Sequence, residues 1–395
     1  MKIRINRETT THYISLLCIV DVLFFPYLRV LSSTVSMFVL ALWCVLNLHI
    51  VIRFRTEISI TLIIILSTFI GIVLYNNYSG ITNSVMVVYA VFLNAFIVRF
   101  GRKIDIGKIL KAYLFFSSLF AVLYLVLPQL YFNVRSIWTM GNTEISFAVR
   151  TINRFTLFYS EPNDAANIYV GILVFLILYA EEKKTLNMLL YIALSMVCII
   201  STVSISGMLS FLICFAALLF FNSKNRTFVR TIIGCAIIVL VIIAVFGIPR
   251  NLVSSDIIGS YLKRLELNTS DNSYGGRTIK WKNAIENCFS YYNFIIGKGG
   301  VYDNLGKVFL PHSGYLYMLI SYGLPSVFLY HKVFFSQAKL LKIKYYIALI
   351  PFLMIMLMNT GIGDFRYLST MAILTAYIRI RNDEYVSLTQ RNEVL

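Results

Sequence analysis

Apolar stretches long enough to cross a bilayer recur along almost the whole chain, and no other feature restricts its fold so strongly. A hydrocarbon core about 30 Å thick takes about 20 residues of helix. Backbone inside that core must satisfy its own hydrogen bonds, which leaves helices or a closed barrel. The runs here are continuously apolar and do not alternate, so they read as helices. Twelve spans are predicted, at 13–30, 31–52, 58–75, 85–100, 109–131, 166–180, 186–200, 207–221, 231–248, 314–330, 345–359 and 367–378. The expectation is an all-α, polytopic integral membrane protein, a single transmembrane domain over residues 1–395.

Composition agrees. With 58% hydrophobic and 13% charged residues and a mean hydropathy of +0.77, the chain has too little polar surface to coat a soluble globule. The first span lacks a small-residue cleavage site and reads as a retained helix. Five of the six cysteines, Cys18, Cys44, Cys198, Cys214 and Cys235, fall within apolar spans and only Cys288 does not, so no disulfide framework is implied.

A net charge of +17 would suit nucleic acid, but its distribution points to membrane topology and anionic headgroups instead. With a cytoplasmic amino terminus, the inner loops collect Arg53 and Arg55; Arg99, Arg102, Lys103, Lys108 and Lys111; Lys183 and Lys184; Lys224, Arg226 and Arg230; and Lys332 to Lys344. The carboxyl terminus is cytoplasmic as well. Most outer turns are short and nearly uncharged. The exceptions are two long polar segments, 132–167 and 249–312, whose arginines topology does not explain. The second carries a stretch of helical spacing over 278–290 that suits either an interfacial helix or a short packed helix supporting the loop.

These two segments supply the candidate site. They contain Arg150, Arg154, Glu161, Asn163 and Asp164 in the first, and Arg277, Lys280, Lys282 and His312 in the second. A guanidinium offers a planar fork that pairs with phosphate at any relevant pH, each charged hydrogen bond contributing about 1.5–3 kcal/mol. His312 is the one histidine expected at the outer mouth, where a neutral imidazole can take a proton from a hydroxyl. Tyr315 is a candidate sugar platform, and the polar turn 201–206 is expected to line the cavity. Asp21, inside the first span, either marks a site or pairs within the bundle. No Asp-x-Asp pair, Gly-rich phosphate loop or His/Cys cluster with metal spacing is present, so neither metal nor cofactor is expected.

The run Arg154-Phe-Thr-Leu-Phe-Tyr-Ser-Glu161-Pro162-Asn163 resembles the arginine and Pro-Asn signature of the bacterial O-antigen polymerase and ligase superfamily (Wzy and WaaL types). Gly276-Arg277-Thr-Ile-Lys-Trp281, Ile295-Ile296-Gly297-Lys-Gly299, His312-Ser-Gly-Tyr315-Leu316 and Tyr322-Gly323-Leu324-Pro325 follow in the same order. The resemblance implies a metal-independent, inverting glycosyltransferase of the bacterial inner membrane, working on the periplasmic face. Its donor and acceptor would be oligosaccharides on undecaprenyl diphosphate. Arg154 and Arg277 would hold the diphosphate and His312 would act as base, with Glu161 a rival base because Ser313 replaces the usual asparagine. Arg150, Asn163, Lys280, Lys282 and Tyr315 would bind substrate, and a chain-length regulator is an implied partner alongside membrane lipids. A polymerase is the favoured reading, an O-antigen ligase acting on lipid A-core the alternative. From another class, a flippase of the same lipid-linked sugars would place its charges at midplane, in two related halves.

Overall fold

A computed structural model describes residues 7–25, 34–76, 78, 80–138, 154–159, 161–179, 185–221, 281–286, 294–301, 311–335, 343–358 and 363–394. Every regular element among them is helical: α1 (Arg7–Phe24), α2 (Val35–Leu46), α3 (Leu48–Val51), α4 (Arg55–Tyr75), α5 (Gly80–Phe100), α6 (Ile106–Val126), α7 (Pro128–Trp138), α8 (Pro162–Tyr179), α9 (Thr185–Ser201), α10 (Ile205–Phe221), α11 (Gly314–Phe334), α12 (Ile343–Met358) and α13 (Phe365–Val394). Four of these stretches, Arg55–Leu74, Gly80–Phe100, Ile106–Val126 and Pro162–Tyr179, are long and apolar enough to cross a membrane; α2, α9, α10 and α12 are shorter apolar helices. The span expected at 231–248 lies outside the described residues.

Burial and hydropathy run in opposite directions, as they should where lipid is the solvent. Arg55–Leu74 has a mean hydropathy of 2.4 with 22% of its positions buried, whereas Pro162–Tyr179 has 1.4 with 89% buried. Lipid tails select for apolar side chains on the outside, while the interior tolerates polar groups that find partners. Helix α8 is accordingly the centre of the bundle, packed against α6, α9, α10, α12 and α13, while α13 also lies along α5 and α11 along α4. Asn94 of α5 donates to Ala372 O at 2.9 Å and to Thr375 Oγ1 at 3.0 Å on α13, the interhelical bonding that replaces the hydrophobic drive inside a bilayer.

Several expected spans need adjustment, among them 109–131, which is interrupted at Leu127 between α6 and α7. Helix α1 begins at Arg7, before the expected 13–30. The stretch 31–52 is interrupted at Asn47, whose φ of −121° and ψ of 36° end α2 and start α3. Most consequentially, 314–330 is not one straight helix. Gly323, at φ 77° and ψ 172°, breaks α11, and its two arms fold toward each other: Ser326 Oγ donates to Met318 O at 3.4 Å, and Tyr315 Oη lies 3.5 Å from His331 Nδ1. Sixteen residues of straight helix would separate that last pair by about 24 Å. Only glycine takes this backbone without strain, and a Cβ at Gly323 would strike Ile295 O. His331, expected on the far side of the membrane from Tyr315, is its neighbour.

Asp21 is resolved in favour of the bundle. Buried, its Oδ2 accepts the Ser36 N–H at 2.6 Å, which caps the free amides at the start of α2.

Candidate functional site

The non-helical stretch 154–159 enters the bundle just ahead of α8, and every one of its residues is buried. Irregular backbone at such depth requires partners for each polar group, and side chains from α7 supply several. Arg135 Nε donates to Leu157 O at 2.9 Å and its Nη2 to Tyr159 O at 3.3 Å. Tyr131 Oη accepts from the amides of Thr156 and Leu157 at 3.4 and 3.0 Å, and Phe155 N donates to Ser201 O at 3.1 Å.

Arg154 is 1% exposed. Its Nε donates to Thr202 O at 2.8 Å, and its Nη2 to Val203 O at 3.0 Å and to Asn163 Oδ1 at 3.4 Å. The cation thus sits where α9 ends in unsatisfied carbonyls, the favoured end of a helix dipole for positive charge. The α9–α10 turn, read from sequence as a cavity lining, is the structural partner of the arginine.

Asn163 stands in the first turn of α8, after Pro162, which suits the first helical position because it needs no amide partner there. Its Oδ1 also accepts Ser204 Oγ at 2.8 Å, and its carbonyl accepts Asn167 Nδ2 at 2.9 Å. Glu161 caps the helix through its backbone carbonyl, which accepts the Asp164 and Ala165 amides; its side chain is half-buried and Asp164 is buried. Arg154, Asn163 and the 202–204 turn therefore form one bonded cluster.

The second group is built around the start of α11. His312 has φ 48°, and its carbonyl accepts Trp281 Nε1 at 3.4 Å. Ser313 caps the helix by accepting the Leu316 amide, and its Oγ donates to Met356 O at 3.2 Å. The helical turn 281–286 is thereby attached to His312, while Lys282 on that turn is exposed and pairs with Glu286 at 3.9 Å. The loop 294–301 clasps the break in α11: Lys298 N donates to Ile320 O, Gly299 N to Ser321 O, and Leu324 N to Phe294 O. Gly299, at φ 71°, lies so close to Ser67, Thr68 and Gly71 of α4 that a side chain there would collide with backbone.

Buried Tyr367 of α13 interacts electrostatically with Asp164 of α8 and with Tyr315 and Tyr330 of α11. Strain collects here too. Of the four described non-glycine residues with positive φ, Leu157, Val203 and His312 all belong to this region. Such conformations cost about 1–3 kcal/mol each and persist where neighbours over-determine them; a β-branched valine there is a true outlier.

Arg150, Arg277 and Lys280 lie outside the described residues. Sequence reasoning passed over Arg135 and Arg366. Arg366 is 1% exposed, stacks its guanidinium 4.8 Å from the Phe158 ring and donates to Phe25 O at 2.5 Å, while neighbouring Asp364 accepts the amides of Arg366 and Tyr367 as the cap of α13. The available signal was an Asp-Phe-Arg directly ahead of an apolar run. Among the described residues no group of three His, Cys, Asp or Glu side chains is placed to hold a metal ion.

No curated protein matches the chain. Residues 190–331 match the family model described as O-antigen ligase, a segment that runs from α9 through the Arg154-binding turn and the His312 loop to the end of the broken helix. The match covers about a third of the chain and supports a likeness to the O-antigen ligase and polymerase type of membrane glycosyltransferase.

Proposed function

We propose that the protein polymerises oligosaccharide repeat units carried on undecaprenyl diphosphate, as an O-antigen or capsular polysaccharide polymerase. The growing glycan leaves its diphosphate carrier and is transferred to the non-reducing sugar of a new lipid-linked unit. In this reading the chain is embedded in the bacterial inner membrane and works at the periplasmic face without a metal.

One observation carries the proposal. Arg154, from the first polar segment, is fixed by the carbonyls of Thr202 and Val203 inside the family-matched segment, beside the amino terminus of α8. A held guanidinium next to a helix amino terminus favours a bound anion, and a diphosphate so neutralised is a good leaving group. Positioning and electrostatics then supply most of the acceleration. Arg154 and Arg277 are the diphosphate-binding residues of this mechanism, helped by Arg150, Asn163, Lys280 and Lys282. His312 removes the proton of the acceptor hydroxyl, with Glu161 as the competing base, and Tyr315 gives a sugar ring a platform. The bond from the anomeric carbon to the diphosphate oxygen breaks as the bond to the acceptor oxygen forms, inverting the anomeric centre, and undecaprenyl diphosphate leaves with its electron pair.

The description of the matched family favours a second reading, a ligase that transfers the same glycan to lipid A-core. Purified protein in lipid nanodiscs, given lipid-linked repeat units alone, separates the two. A polymerase produces a ladder of chain lengths; no ladder until lipid A-core is added means ligase. A ladder that persists in full in cells carrying Arg277→Ala and His312→Ala at normal expression would point to transport of the lipid-linked sugar instead.

A further inference from the structure

Helix α1 runs about 25 Å from the Arg154 end of the bundle, where Phe25 accepts Arg366, to the opposite end at Glu8. At that opposite end α1, α3 and the close of α5 border an open cavity of about 830 Å³. Its polar lining is His49, Arg53, Arg99 and Arg102 with Thr11 and a single carboxylate, Glu8, and Ile50, Val98 and Phe100 form its apolar wall. Glu8 is already paired with Lys103, which holds its carboxyl below the usual carboxylate range.

Three guanidiniums therefore face one cavity. Among the described residues, the ion pairs are Lys103 with Glu8, Lys108 with Asp105, Lys282 with Glu286 and Arg381 with Glu384, and none of them includes Arg53, Arg99 or Arg102. Arg102 also stands within electrostatic reach of Arg379, which the carboxylates of Asp383 and Glu57 face in turn. Arg99 is fixed with its guanidinium 4.3 Å from the Phe54 ring, a stacking that leaves its N–H edge available to an anion. Three guanidiniums against one carboxylate leave the cavity with an excess of positive charge, so an anion that joins them is bound with advantage.

We infer that this cavity is a phosphate-binding site, remote from the glycosyltransfer site. The guanidiniums take the phosphate oxygens in charge-assisted, forked hydrogen bonds, and the apolar wall accommodates hydrocarbon next to them, as in the headgroup region of an anionic phospholipid. Free phosphate offers the same oxygens without the hydrocarbon.

The test uses the full chain, purified in neutral detergent and stripped of lipid, with the thermal midpoint followed as phosphatidylglycerol, phosphatidylcholine or inorganic phosphate is added. Phosphatidylglycerol is expected to raise the midpoint where phosphatidylcholine does not; a response to inorganic phosphate alone identifies free phosphate as the source. The triple variant R53K/R99K/R102K keeps every topological charge and loses the forks, so its phosphatidylglycerol affinity should fall at least about tenfold. Lys108→Gln, at the same end but outside the cavity, should leave the affinity unchanged. Equal responses to the charged and neutral lipids, or wild-type affinity in the triple variant, would overturn the inference. Should the triple variant fail to fold, Arg102→Lys alone is read in the same way, with a smaller loss expected.

Discussion

Arg154, Arg135 and Arg366 are buried at one end of the bundle and donate to the carbonyls of Thr202, Val203, Leu157, Tyr159 and Phe25. Arg53, Arg99 and Arg102, at the other end, stand exposed around an open cavity. The side chain is the same and its work differs. A buried guanidinium is costly unless its donors meet acceptors, and here the acceptors are backbone carbonyls of turns that could not otherwise sit inside a membrane protein. An exposed one is already solvated and can exchange water for a ligand. Burial makes Arg135 and Arg366 part of the architecture and holds Arg154 in one fixed position ahead of any ligand, whereas exposure leaves the second set free to exchange partners.

If that contrast is right, Arg154→Ala should have the largest effect of any single change. Loss of a fixed charge at the leaving diphosphate costs about 10²–10³ in rate, read as loss of the polymer ladder. The carbonyls of Thr202 and Val203 lose their charged donor as well, so the thermal midpoint in detergent should drop. Arg154→Lys should recover some stability and little activity, because one ammonium cannot reproduce the fork. Activity equal to wild type in Arg154→Ala would remove the distinction between the two ends.

Arg135→Ala comes next. It touches no substrate in the proposed mechanism, yet it frees the carbonyls of Leu157 and Tyr159, each bond to a charged donor being worth about 1.5–3 kcal/mol. Stability should fall and activity should follow, with accelerated proteolysis near 154–159. Intact stability in this variant would show that the loop holds itself.

A smaller loss, about 1 kcal/mol, is expected for Ser204→Ala, which removes one neutral hydrogen bond to Asn163. Retained activity at a lowered midpoint would mark that contact as supporting the site, not forming it.

Least affected should be Glu8→Gln. The Lys103 pair is exposed, and exposed pairs contribute little. Because the folded carboxyl titrates below its unfolded value, whatever the pair adds is present at neutral pH and is lost as pH falls through the lowered pKa. A midpoint difference between wild type and Glu8→Gln should therefore be small at pH 7 and vanish under acid. A large difference at pH 7 would mean that the far end is as tightly built as the near one.

Much of the helical framework could be read from apolar runs alone, since α4, α5, α6 and α8 follow from length and hydropathy. The Arg154–Asn163 pairing was also within reach, because both residues belong to one short motif. Arg135 was not. It sits in a stretch read as the start of a loop, and nothing in its neighbours announces that it will bond carbonyls more than 20 residues along. The fold of α11 was equally hidden, for Tyr322-Gly323-Leu324-Pro325 permits a kink without fixing how far it bends.

The amino-acid order by itself settled the solvent, the helical class and the kinds of side chain available for phosphate, because these depend on local composition and on the cost of backbone in hydrocarbon. Which arginine became scaffold and which stayed accessible, and that Tyr315 would meet His331, were decided only in three dimensions. Those outcomes depend on carbonyls and glycines brought together from distant parts of the chain, and no local rule contains them.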